Sequence, residues 1–134
     1  MANIGQTIII RTDIFELPQD MGLLSAQVAH IHFEFIRDCI NNDAHGIFLK
    51  SDIMKGWLKD PYIFVKKVPN IESLRYFIDL GIQNDIVVRE WNDTIYVRLS
   101  PTMKKAFPNT LVGISLGPDD SDKIRSVVGD LPLL

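Results

Sequence analysis

A β-branched run, Thr7-Ile8-Ile9-Ile10-Arg11-Thr12, is followed by Leu24, Val28, Ile31 and Phe35, apolar positions spaced i, i+4, i+7 and i+11. The run has the length of a buried strand, and the spacing gives one apolar face of a helix from about Met21 to Asn41. Between them Leu17-Pro18-Gln19-Asp20 breaks the chain, because proline fixes φ and lacks an amide donor. Asp20 is placed to cap the helix, and Asn41-Asn42-Asp43 with Gly46 to stop it. The same alternation continues. Ser51 and Asp52 can cap a short helix ending near Trp57, and Tyr62-Ile63-Phe64-Val65 reads as a second strand. Ser73 to Leu80 reads as a helix with Gly81 as its stop, and Ile86-Val87-Val88 as a third strand. Asn92-Asp93 fits a two-residue hairpin turn returning through Thr94–Val97, since both residues tolerate positive φ. After a loop from Ser100 to Pro108, Thr110–Ile114 is a strand ended by Gly117-Pro118, and a helix runs from about Asp120 to Val128. Strand, helix, strand, helix, strand implies crossovers onto one sheet. The expected fold is α/β: a single domain over residues 1–134, with a mixed four- to five-stranded sheet and helices on both faces.

Several function classes are narrowed by composition. A chain of 134 residues that is 46% hydrophobic and 23% charged can bury a core without staples. Cys39 is the only cysteine and lies among Ile36 and Ile40, so it reads as a small buried hydrophobe and no intramolecular disulfide is possible. The first residues carry neither a basic region nor an apolar core of a signal peptide, and no apolar run approaches the roughly 20 residues that span a bilayer. The expectation is a cytoplasmic protein. The three histidines have no metal-ligand spacing, so no metal is expected; His32 and His45 are read as surface residues. Phe33, Phe35, Phe64 and Phe77 are read as core. Net charge is −3, which weighs against nucleic-acid binding unless a local basic patch exists.

Two segments carry a likeness to a known family. The first is Ile10-Arg11-Thr12-Asp13 followed, across a loop, by Ser25-Ala26-Gln27-Val28-Ala29-His30. The second is Ser115-Leu116-Gly117-Pro118-Asp119-Asp120, then Ile124, then Val128-Gly129-Asp130-Leu131-Pro132-Leu133-Leu134. With Trp57 and Phe64-Val65-Lys66-Lys67, these segments resemble the type 2 peptidyl-tRNA hydrolase family in matching order over nearly the whole chain. The resemblance implies a four-stranded mixed sheet, usually in a homodimer, and an enzyme that cleaves the ester between a nascent peptide and tRNA with a positioned water. It implies no metal and no organic cofactor. Arg11, Asp13, Gln27, His30, Glu90 and Thr94 would line the site, with Glu90, Thr94 and His30 catalytic and Lys104 or Lys105 on the acceptor-stem phosphates.

There are departures. A lysine that the family places four residues before the helix glutamine is Leu23 here, and the loop before the helix carries Glu16 and Asp20 in place of basic residues. The family's Asp-Ala-Gly-x-Thr segment aligns with Glu90–Thr94 if the turn is at Asn92-Asp93; a slip by one puts Trp91 in the acid's place and Ile95 in the threonine's. Because a one-residue slip exchanges sheet faces, whichever of Glu90 and Trp91 faces Gln27 decides between the two. The segments ending at Asp13, Thr94 and Pro118 are expected to converge around the first long helix. The alternative to an esterase is a non-catalytic member of the same fold, acting as a binding module, for which the loss of the lysine and the acidic loop speak.

Overall fold

A computed structural model describes residues 3–15, 20–42, 51–98, 100 and 102–134. The elements are β1 (Ile4–Arg11), α1 (Met21–Asn42), α2 (Asp52–Lys59), β2 (Tyr62–Val68), α3 (Ile71–Gln83), β3 (Val88–Arg98), β4 (Lys104–Asp120) and α4 (Ser121–Val128). One four-stranded sheet runs in the order β2-β1-β4-β3. β1 is parallel to β2 and antiparallel to β4, and β3 is antiparallel to β4. The expected α/β architecture stands, with four strands.

β1 is central, which is why its isoleucines run without alternation: both faces are covered. Ile8 and Ile10 point into a cluster with Leu24 and Ile31 of α1, and Ile9 into one with Leu74 of α3 and Ile124 of α4. Farther along α1, Phe35 and Cys39 pack on Met54 and Trp57 of α2. Thus α1 and α2 cover one face and α3 and α4 the other. Cys39 is buried as expected. Of the phenylalanines read as core, Phe35 is buried and Phe77 partly so, whereas Phe33 and Phe64 are exposed; Phe33 lies under the Arg37 guanidinium, 5.9 Å from its ring centre. Among the described residues no helix is long and apolar enough to cross a membrane.

Local signals explain most boundaries. Ser51 caps α2 by accepting from the Met54 amide, and Asn70 and Asp120 do the same for α3 and α4. Gly46 lies outside the described residues. Gly81 does not stop α3, which continues to Gln83. A Cβ there would lie 2.8 Å from both Leu116 Cδ2 and Val88 Cγ2, so the glycine serves close packing of α3 on the sheet. The strand ended at Gly117-Pro118 in the sequence reading is instead part of β4, which runs on to Asp120.

The larger correction concerns the hairpin. No turn occurs at Asn92-Asp93; β3 runs through both, and register shifts beside Trp91 and after Asp93 absorb the irregularity. The chain reverses between Ser100 and Met103, whose backbone groups bond each other, while the Ser100 hydroxyl accepts from the Thr102 and Met103 amides. Lys104–Pro108, read as loop, is therefore the start of β4.

His32, read as a surface residue, is half-buried; its Nδ1 lies 3.1 Å from Gln6 Oε1, and its ring contacts Phe35 and Trp57. Burial among these neutral groups lowers its pKa below the ordinary histidine value. The neutral ring is the form the fold favours. Stability should therefore be full above about pH 6.5 and fall as pH drops through the depressed folded value. His32→Gln should flatten that fall in urea unfolding between pH 7 and 5; an identical fall in both proteins would contradict it. His45 lies outside the described residues.

Candidate active site

Arg11 ends β1, at the carboxyl end of a central strand, which is where α/β sheets commonly place ligands. Its guanidinium forms a fork on Asp13, Nε to Oδ1 and Nη2 to Oδ2 both at 2.7 Å. The carboxylate raises the guanidinium's pKa. Nη1 also donates to Thr110 Oγ1 at 3.0 Å and, at 3.3 Å, to the Leu111 carbonyl, so the pair ties β1 to β4. The cation is spent on these partners, which makes Arg11 a brace for the first loop.

Thr110 is the cross-strand partner of Asp93. From there the contacts pass to α1. Gln27 is buried, and its Nε2 donates to Asp93 Oδ2 at 3.3 Å while its Oε1 accepts from the indole Nε1 of Trp91 at 2.7 Å. An indole can only donate, so Trp91 fixes which end of the Gln27 amide is oxygen and turns its NH2 toward Asp93. His30, one turn on and exposed, lies with its ring 5.6 Å from Trp91. The order Arg11–Thr110–Asp93–Gln27–Trp91–His30 therefore spans β1, β4, β3 and α1 in one cluster.

Asp93 is the chemically distinctive member. It is half-buried, its Oδ1 accepts from the Thr94 amide at 2.8 Å, and among the described residues it forms no ion pair. Neutral donors orient a carboxylate without consuming its charge, which leaves it able to take a proton from water. Gln27 Nε2 retains a second hydrogen for a nearby oxygen.

Of the residues expected to line the site, Arg11, Asp13, Gln27 and His30 lie in or beside this cluster. Glu90 does not. Trp91 is the residue that faces Gln27, and strand alternation turns Glu90 toward the opposite face, where its partner Ile114 packs in the cluster under α3 and α4. Thr94 sits at the register shift, and its hydroxyl accepts from the amide of Asn109, whose φ of 39° is left-handed. Lys104 and Lys105 lie at the far end of β4, opposite Arg98 and Val97. Pro118 is remote from the cluster too: the adjacent Asp119 pairs with Gly5, at the start of β1. Leu23 packs on the apolar cluster with Val28, Ile95 and Val97. The carboxylate in contact with Gln27 is Asp93, which the sequence reading had placed in a turn because Asn-Asp has turn chemistry. Among the described residues no group of three or more metal-ligating side chains converges.

The fold and these contacts together define an α/β domain with a polar cluster between its first long helix and strands β3 and β4. The family model described as peptidyl-tRNA hydrolase PTH2 matches residues 4–134, and the chain belongs to that family. Relatives named peptidyl-tRNA hydrolase are 27% identical in Metallosphaera sedula, over 95% of this chain and 97% of the relative, and 27% in Sulfurisphaera tokodaii, over 95% of each. A third, from Nanoarchaeum equitans, is also 27% identical, over 97% of this chain and 98% of the relative.

Proposed function

We propose that this chain is an esterase that cleaves peptidyl-tRNA with a water activated by Asp93. The observation that carries the reading is the Trp91–Gln27–Asp93 relay: an indole orients an amide, and the amide orients a carboxylate with no cation on it. In this mechanism Asp93 accepts a proton as the water attacks the ester carbonyl and passes it to the ribose oxygen as the acyl–oxygen bond breaks, releasing the peptide as its carboxylic acid and the tRNA with its hydroxyl restored. The spare Gln27 N–H donates to the developing oxyanion, and His30, at the mouth, orients the terminal ribose. Glu90, favoured from the alignment, gives way to Asp93 in the role of base. Thr94 acts by holding the bend that presents Asp93, and Arg11 with Asp13 braces the floor. Family membership supports the substrate class. The resemblance further implies a dimer, which sedimentation equilibrium tests.

Release of tRNA from an N-blocked aminoacyl-tRNA is the direct assay, with Trp91→Phe as the informative variant. Removing the indole donor frees the Gln27 amide to rotate, so kcat should fall about tenfold, the worth of one hydrogen bond, with KM little changed. A flat time course for the wild-type protein at high concentration would sink the esterase reading. The binding-module alternative would then remain, favoured by Leu23, which packs as an apolar residue where the family resemblance implies a lysine.

A further inference from the structure

Beyond the body of the sheet, β3 and β4 continue as a two-stranded ribbon. The last residue of β4 paired to β1 is Gly113, whereas pairing to β3 extends back to Lys104. The two faces of this ribbon differ. Ile95 and Val97 are buried in the cluster that also takes in Leu23 and Leu24 of α1, and Phe107 packs there too, with the Lys105 ammonium 4.8 Å from its ring centre. Tyr96, between two buried residues, points the other way and is 63% exposed. Its cross-strand partner is Ala106, too small to cover a ring, and Lys104 lies two positions along the same face. Residues 94–110 hold Arg98, Lys104 and Lys105 and no acid, in a chain of net charge −3. The segment is thus locally positive, and Lys104 shares the outer face with an uncovered aromatic ring.

We propose that the outer face of this ribbon, Tyr96 with Lys104, binds unpaired nucleotides of an RNA, a base stacking on the tyrosine and a phosphate meeting the lysine. An exposed aromatic beside cations on an open strand is the arrangement that takes single-stranded nucleic acid, because every base offers a π-face and every linkage a negative charge. A buried partner protein would require apolar area, and the outer face offers a single ring. The identity of the RNA, the unpaired acceptor end of tRNA, rests on the esterase reading. Tyr96 is three residues from Asp93, about 10 Å along the strand, within the span of a few nucleotides. β3 is an edge strand, so a chain held on the outer face can cross its free edge toward Asp93. Tyr96 is accordingly a positioning residue, remote from the reacting atoms.

The test is fluorescence anisotropy of end-labelled deacylated tRNA and of a short unpaired RNA, with duplex RNA as competitor, in parallel with ester cleavage. Tyr96→Ala should weaken binding about tenfold and Tyr96→Phe should retain it, since stacking needs the ring and not the hydroxyl. Lys104→Ala should lower the slope of log affinity against log salt by about 0.7, one phosphate on a single strand. Lys55→Ala, on the exposed side of α2, should change neither. Equal binding by wild type and Tyr96→Ala, or competition by duplex equal to that by single strand, overturns the proposal. Tyr96-dependent binding without ester cleavage sustains the ribbon site and sinks the esterase; cleavage with an unchanged KM in Tyr96→Ala does the reverse.

Discussion

Asp93→Asn should lower kcat for ester cleavage by about 10²–10³-fold with little change in KM, the loss expected when a positioned general base is removed. Asparagine has the same shape but no proton affinity, so the site keeps its geometry and loses its chemistry. One acceptor oxygen becomes an NH2 facing either the Thr94 amide or Gln27 Nε2, which costs about 1 kcal/mol of stability and leaves the fold intact. Glu90→Gln provides the internal comparison. Its side chain projects from the other face of β3, so activity should stay within about twofold of wild type, as for surface substitutions away from a site. The reverse ranking, with Glu90→Gln the more damaging, would restore the register that keeps Glu90 as the acid and remove Asp93 from the mechanism.

Gly113→Ala should be the most destabilising single-methyl change near the site. A Cβ at this position would lie 2.6 Å from Ile31 Cδ1 and 2.8 Å from the Ile9 carbonyl oxygen. The isoleucine tip can swing away, but the carbonyl belongs to the central strand and cannot yield without disturbing β1. Overpacking of this kind costs about 3 kcal/mol, near the upper end of the usual range. For a domain of this size that is a fall in melting temperature of about 10 °C. Activity should fall too, because Gly113 is the cross-strand partner of Trp91, and pushing α1 off the sheet lengthens the indole-to-amide bond. Urea and thermal unfolding measure the first effect and the peptidyl-tRNA assay the second. A melting temperature within about 2 °C of wild type would show that the helix does not pack as described.

The order of elements was legible because strand and helix periods differ and because caps are local. Ser51 and Asp120 announced their helices, and the spacing of Leu24, Ile31 and Phe35 marked the buried side of α1. What could not be read locally was decided by tertiary contacts. Asn92-Asp93 has the chemistry of a turn, yet the strand runs through it since Ile95 and Val97 gain burial against α1 only if β3 continues. Gly81 has the chemistry of a helix stop, yet α3 passes it because Leu116 and Val88 need the space. Part of the contact cluster was named in advance: Gln27 and His30 by the family resemblance, and Arg11 with Asp13 by that resemblance and by their place at a strand end. The acid depended on sheet parity, which a misplaced turn inverts, so Glu90 was favoured where Asp93 makes the contact. Trp91 was foreseen only as the outcome of the alternative register, slipped by one.

The account's central claim is that Asp93, Gln27 and Trp91 direct a water onto an ester carbonyl. Its most direct test is a single turnover of N-blocked aminoacyl-tRNA by excess protein in oxygen-18 water, with mass analysis of both products. The account predicts one heavy oxygen in the released peptide carboxylate and none in the tRNA ribose, at a rate that collapses in Asp93→Asn. Heavy oxygen in the ribose, or release that is equally fast without the Asp93 carboxylate, would contradict it.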